Sequence, residues 1–147
     1  MQPGNLSIGQ LDSGRYCYFV ADAANVSVEN VEAVVLGGHG DTMVPIRSAC
    51  RIYGLPVEQF VTAGKLAKIE ARTRGAGGEV VKLLGSGSAF VSPAVSALEM
   101  IEAIAFDKRK ILPVAAYLQG EYGVKGLFVG VPVILGKNGI EQIIKIK

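Results

Sequence analysis

The chain has one histidine, two cysteines and no tryptophan among its 147 residues. A single imidazole with no second or third ligand at workable spacing makes no metal site, so metal-assisted hydrolysis through His39 and Asp41 is set aside. Cys17 and Cys50 lie far apart, without CxxC or metal-ligand spacing. They read as two buried free thiols in a cytoplasmic protein, and structural zinc has nothing to hold it. No apolar run approaches the roughly 18 residues that cross a membrane, although half of the residues are apolar. The opening stretch "MQPGNLSIGQ" has neither a basic n-region nor an apolar h-region, so it does not read as a signal peptide. A net charge of +2 leaves no strongly basic surface. The densest patch, "DKRK" (107–110), is short enough to be a helix end or a wet face, and nucleic acid is not the expected partner.

Nucleotide-binding signatures are missing as well. No GxGxxG follows a strand, and there is no Walker loop. "GAGG" (75–78) and "GSGS" (85–88) are rich in glycine. Neither follows a strand directly, which phosphate-cradling geometry requires.

What is present fits one domain of ordinary size with a real core. Residues 8–25 read as a helix, with Leu11, Tyr18, Phe19 and Ala23 near helical spacing and Asn25 as a stop. "VEAVVLG" (31–37) is a β-branched strand closed by glycine. Residues 43–60 look irregular, with turns at Pro45 and Pro56. A long helix is expected from Thr62, its N-cap, to Leu84. The glycines at 75–78 predict a kink or the close approach of another backbone, since each costs about 1 kcal/mol in a helix. A second helix covers 89–106, with Pro93 in its first turn. Strands follow at 110–118, 126–136 and 139–147, the last two joined by "GKNG" (136–139), whose Asn-Gly signals a hairpin. The order predicts an α+β fold, with long helices packed on an antiparallel sheet.

His39 sits in "VEAVVLGGHGDTMVP" (31–45), at the end of the first strand. Glycines 37, 38 and 40 strip side chains from around the ring, which lets a substrate or another backbone come near. On the first helix, "LDSGR" (11–15) places Asp12 and Arg15 at i and i+3, on one helix face. That spacing also describes an ordinary surface pair worth a few tenths of a kcal/mol. If the helix packs beside the strand, Asp12 accepts from one ring nitrogen and fixes the tautomer. Arg15 is then left to grip a substrate carboxylate with its planar fork. Such a trio suits acid–base chemistry on a small carboxylated molecule.

"LDSGRY" followed by "VVLGGHGDTMVPIRS" resembles the C-terminal, substrate-binding domain of the lactate/malate dehydrogenase family. The likeness runs on through "AFVSPAVSALEMIEAI" and "ILPVAAYLQGEYGVKGLFVGVPVILGKNGIE". Residues 11–147 correspond to that domain, and residues 1–10 match it poorly. "GGHGDTMVP" is similar to the malate dehydrogenases of bacterial, lactate-dehydrogenase-like type, whereas lactate members more often have glutamate in place of Gly38. The resemblance implies that His39 is the proton donor and acceptor and Asp12 its partner. It implies that Arg15 binds the substrate's C1 carboxylate and that Ser88 lines the pocket. The implied reaction is reversible hydride transfer between malate and NAD, by a cytoplasmic homo-oligomer, dimer or tetramer.

The family's NAD-binding half, its mobile loop with further arginines and its substrate-orienting asparagine have no counterpart in this sequence. No cofactor-binding residue is therefore assigned, and the chain alone is expected not to oxidise malate. Glycine at 14 replaces the usual alanine and should loosen the first helix. The sequence ends before the family's closing amphipathic helix, which predicts bare apolar surface. Two alternatives stand beside malate. One is a lactate or other 2-hydroxy-acid dehydrogenase domain. The other is a non-catalytic assembly module, using the small-residue face of Ala89, Ala94, Ala97 and Ala105.

Overall fold

The computed structural model describes residues 8–146, so most of the poorly matching segment 1–10 lies outside the described residues. Helix α1 spans Ile8–Ala24, as expected within one residue. It buries Leu11, Tyr16, Phe19 and Val20 and turns Tyr18 outward. That is the one-sided burial of an amphipathic helix.

The anticipated strand 31–37 is divided. β1 (Val31–Glu32) and β2 (Val35–Gly37) belong to different sheets. The reason lies in the segment after it, which is not irregular throughout. β3 (Met43–Pro45) pairs with β2, whereas β4 (Arg51–Ile52) pairs with β1 and with β5 (Leu55–Pro56). The run 31–37 is thus pulled toward two partners, and it changes sheet at Ala33 and Val34.

Helix α2 (Ala63–Leu84) is continuous through the glycines at 75–78, so the expected kink is absent. Gly75 and Gly78 face open space, and Gly77 faces a guanidinium group of Arg15 rather than another backbone. Thr62 stands at the N-cap with extended backbone, but its side chain makes no capping hydrogen bond. The helix is instead tied down from its sides. Arg47 grips Glu70 with two hydrogen bonds of 2.8 and 3.0 Å, a bidentate geometry stronger than a single ion pair. α3 (Val91–Ala105) follows, with Pro93 in its first turn.

β6 (Lys110–Gln119), β7 (Lys125–Gly136) and β8 (Gly139–Ile143) complete the larger sheet, in the order β3-β2-β7-β6 with β8 also on β7. Every pairing is antiparallel. The expected hairpin is there, with Gly136 opposite Gly139. β8 stops at Ile143, however, short of the predicted 147. Burial alternates along Val114–Gln119 of β6 as the period of two requires, whereas β7 is buried without a break from Gly130 to Val133. Leu112, Val114, Ala116 and Leu118 of β6 face inward with Val131, Val133 and Leu135 of β7.

These residues make one core with Met100 and Ala103 of α3. A second core gathers Tyr16 and Val20 of α1, Leu66 and Ile69 of α2, and Val35, Met43 and Cys50. At about 1.5–3 kcal/mol for each large apolar side chain fully buried, this second cluster is the main force holding α1 against β2. The fold is α+β with helices on antiparallel sheet. On the other side of the sheet, Ile111, Tyr117 and Phe128 stay exposed. No described helix is long and apolar enough to cross a membrane.

Candidate active site

Asp12 is the most buried charged residue of the site, 1% exposed. Its two carboxylate oxygens point in different directions. Oδ2 lies 2.8 Å from His39 Nδ1, and Oδ1 accepts from Arg15 Nη1 at 3.3 Å. A carboxylate so buried is costly unless paired and hydrogen-bonded, and here both lobes have a cationic or donating neighbour. The three residues singled out in the sequence therefore meet at one carboxylate.

The contact also assigns the histidine's protons. An ionised carboxylate only accepts, so Nδ1 must carry the hydrogen toward Asp12. In the neutral ring this leaves the Nε2 lone pair as the proton acceptor. The ring is 45% exposed, so Nε2 is reachable from solvent while Nδ1 is held. Arg15 differs. It is 13% exposed, and its contact with Asp12 is long for a charge-assisted bond.

The glycines around His39 turn out to serve the fold of their own turn. Gly37 has φ +84° and lies where a Cβ would come 2.6 Å from the Thr42 carbonyl oxygen. Gly38 has no room for a Cβ because Thr42 Oγ1 occupies the place. Besides packing a tight turn on Thr42, Gly37 and Gly38 line the space beside the ring, and Gly37 meets another backbone at Gly130, the close approach expected of these glycines. Asp41 is exposed and lies in the single 3₁₀ turn Gly40–Thr42 that follows the histidine.

His39 and Arg15 open on different spaces. His39 lines a pocket of about 200 Å³ with Gly9, Gly38, Ala115, Phe128 and Gly130. Arg15 lines a larger groove of about 750 Å³ between α1, α2 and α3. In that groove Arg72 stacks 4.2 Å from the Phe19 ring and pairs with Glu79. Asp12 is the bridge between the two spaces. Ser88 is not brought to this centre: it is exposed in the segment between α2 and α3 and lines neither space.

Sequence reasoning missed Gly130 and Phe128. Gly130 had a signal, since a glycine inside the apolar strand "LFVGVPVIL" marks close backbone approach. Phe128 had none, because only strand register places it beside the histidine. Among the described residues no group of three or more His, Cys, Asp or Glu could hold a metal ion.

Residues 9–147 match the lactate/malate dehydrogenase, alpha/beta C-terminal domain. The chain belongs to the lactate/malate dehydrogenase family. It is 51% identical over 139 residues to malate dehydrogenase 1 of Anaeromyxobacter dehalogenans, an alignment covering 95% of this chain and 45% of that protein. The malate dehydrogenase of Salinibacter ruber, solved at 1.55 Å, superposes with a TM-score of 0.91 at 48% identity, over 95% of this chain and 45% of that one. A lactate dehydrogenase of Cryptosporidium parvum, solved with lactic acid and nicotinamide adenine dinucleotide, gives a TM-score of 0.89 at 40% identity, over 95% of this chain and 45% of that one. The chain thus spans about half the length of these family members.

Proposed function

We propose that this chain supplies the substrate-binding and acid–base half of an NAD-dependent malate dehydrogenase. The observation that carries the reading is the buried Asp12 carboxylate joined to His39 Nδ1 and Arg15 Nη1. In malate oxidation, neutral His39 would take the hydroxyl proton on Nε2. The imidazolium so formed would be stabilised by Asp12, whose charge it neutralises. In reduction the same nitrogen would return the proton. Arg15 would exchange its long contact with Asp12 for the substrate's C1 carboxylate, a better-matched bidentate partner. Ser88 is assigned to the pocket by the family resemblance alone.

Hydride transfer needs an acceptor, which for this family is NAD. The described residues of this chain do not fit a dinucleotide: no strand-glycine-helix phosphate cradle is present among them, and the His39 pocket is about 200 Å³. NAD would be held mainly by residues outside this chain, and the chain alone would not turn over malate. Malate is favoured over lactate by "GGHGDTMVP" and by malate dehydrogenases at 51% identity. The proposed setting is a cytoplasmic homo-oligomer.

The test is a titration of the chain with malate, oxaloacetate and lactate, following NMR signals of His39 and the Arg15 side chain. Selective shifts with the dicarboxylates, weakened in Arg15→Ala, support the half-site. No shift at millimolar ligand, from a folded chain, would favour the assembly module. That second reading has its own support in α3, where Val91, Val95, Leu98 and Ile101 are exposed. The face is larger and more apolar than the alanine face expected from sequence.

A further inference from the structure

Ser13, next to Asp12, is buried although its side chain is polar. Its hydroxyl is fully committed. It donates its one proton to the Gly9 carbonyl at 2.8 Å, within α1, and accepts from the Val35 N–H of β2 at 2.9 Å. The first bond is common in helices. The second is not a helix bond at all, since it joins residues 22 positions apart in different elements.

The strand explains why Val35 needs that acceptor. Residues 34 and 38, which flank β2, turn their backbone groups to the β3 side, where Ile46 N–H meets the Val34 carbonyl and Gly38 N–H meets the Thr42 carbonyl. Val35 therefore faces the opposite edge, because backbone groups alternate along a strand. On that edge, among the described residues, β7 pairs with β2 only at Gly37. A buried N–H left without a partner is costly, and Ser13 supplies the partner. The same hydroxyl thus joins the helix that carries Asp12 to the strand that leads, two residues beyond its end, to His39. Behind it, Gly9 is wedged against β6, where a Cβ would lie 2.6 Å from the Pro113 carbonyl oxygen. The helix cannot slide along the strand without breaking this joint.

We infer that Ser13 is a positioning residue: its hydroxyl pins α1 to β2 so that Asp12 meets His39 Nδ1 and holds the ring in one tautomer. The inference rests on Asp12 and His39 working as an acid–base pair, but its test does not need substrate or NAD. The ring nitrogens of His39 are followed by ¹⁵N NMR in the intact chain, at a pH where the imidazole is neutral. Wild type should hold its proton on Nδ1.

In Ser13→Ala the Nδ1–H to Nε2–H ratio should fall by about threefold or more, and Ser13→Thr, which keeps the hydroxyl, should restore it. Thr73→Ala is the control for lost stability. Thr73 is buried like Ser13 and donates to the Ile69 carbonyl at 2.9 Å, but its bond stays within α2 and joins no second element. It should lower the denaturation midpoint and leave the ratio alone. Asp12→Ala separates the two hypotheses. If Asp12→Ala shifts the ratio and a folded Ser13→Ala does not, the Ser13 joint is overturned and the acid–base pair stands. If Asp12→Ala also leaves it unchanged, the pair itself fails, and the Ser13 inference with it. A ratio that shifts in Thr73→Ala as much as in Ser13→Ala reduces Ser13 to general stability and overturns the inference.

Discussion

Gly130 of β7 lies against Gly37 of β2 so closely that a Cβ at position 130 would overlap the Gly37 carbonyl oxygen. The two are register partners, and this is the only pairing that joins β2 to β7 among the described residues. The sheet is therefore continuous through a contact that needs a glycine, two residues before His39. Gly130→Ala should force the strands apart and cost about 1–3 kcal/mol, the usual range for overpacking a closed site. Urea denaturation measures the cost. The His39 ring signals should move in the folded variant; an unchanged spectrum would mean that α1 and β3 hold β2 without help from β7.

Arg15 should not tolerate its like-charged substitute. Lysine keeps the charge but loses the planar fork that meets a carboxylate through two parallel bonds. Arg15→Lys is expected to weaken malate binding by about tenfold, equal to about 1.4 kcal/mol. Calorimetric titration of the intact chain reads it. Equal affinity in the two proteins would show that Arg15 acts only as a diffuse positive charge.

The elements with strong local signals were legible. α1, α3 and the β7–β8 hairpin follow from apolar period, an early-turn proline and an Asn-Gly turn. The strand 31–37 was not, because its division depends on which distant partner each half finds. Val31 pairs with Ile52, and Val35 with Pro45. The glycines of α2 were misread for a related reason. Propensity predicts a kink, but the Arg47–Glu70 clamp and buried Leu66, Ile69 and Ala76 anchor a helix that runs on through the glycines. Tertiary contacts override a cost of about 1 kcal/mol per glycine.

For the site, the sequence singled out Asp12, His39 and Arg15, and the structure brings these three together at the Asp12 carboxylate. It could not reveal that Arg15 and His39 open on separate spaces. It also offered nothing on Ser13, whose importance lies in a bond to a backbone N–H 22 residues away.

Alkaline pH should weaken the fold through the α1 core. Burial pushes the Cys50 thiol up to about 12 from an ordinary 9.0, with repulsion from Cys17 and Glu58 adding to it. Burial raises Cys17 and Tyr16 too. The folded chain keeps these groups protonated where the unfolded chain ionises, so their contribution is whole below pH about 9 and is lost as pH rises toward 12. One such group gives a slope of up to about 1.4 kcal/mol per pH unit. Urea midpoints between neutral and strongly alkaline pH should fall, and the fall should be shallower in Cys50→Ala. A slope identical to wild type would assign the effect to Tyr16 and Cys17.

Four helix glycines have no structural reason to be glycine. A Cβ at Gly14, Gly64, Gly75 or Gly78 meets nothing within 4 Å, and all four lie inside helices. Each change to alanine should raise stability by up to about 1 kcal/mol, through helix propensity and a less flexible unfolded chain. Gly77 is the informative contrast. Its Cβ would rest 3.6 Å from Arg15 Nη1, an ordinary contact rather than a clash. Gly77→Ala should gain stability like its neighbours, yet narrow the space in which the guanidinium turns from Asp12 toward a ligand. Malate affinity should therefore drop in Gly77→Ala and stay unchanged in Gly78→Ala. Equal affinity in both would mean that Arg15 meets its ligand without leaving the position it holds beside Asp12.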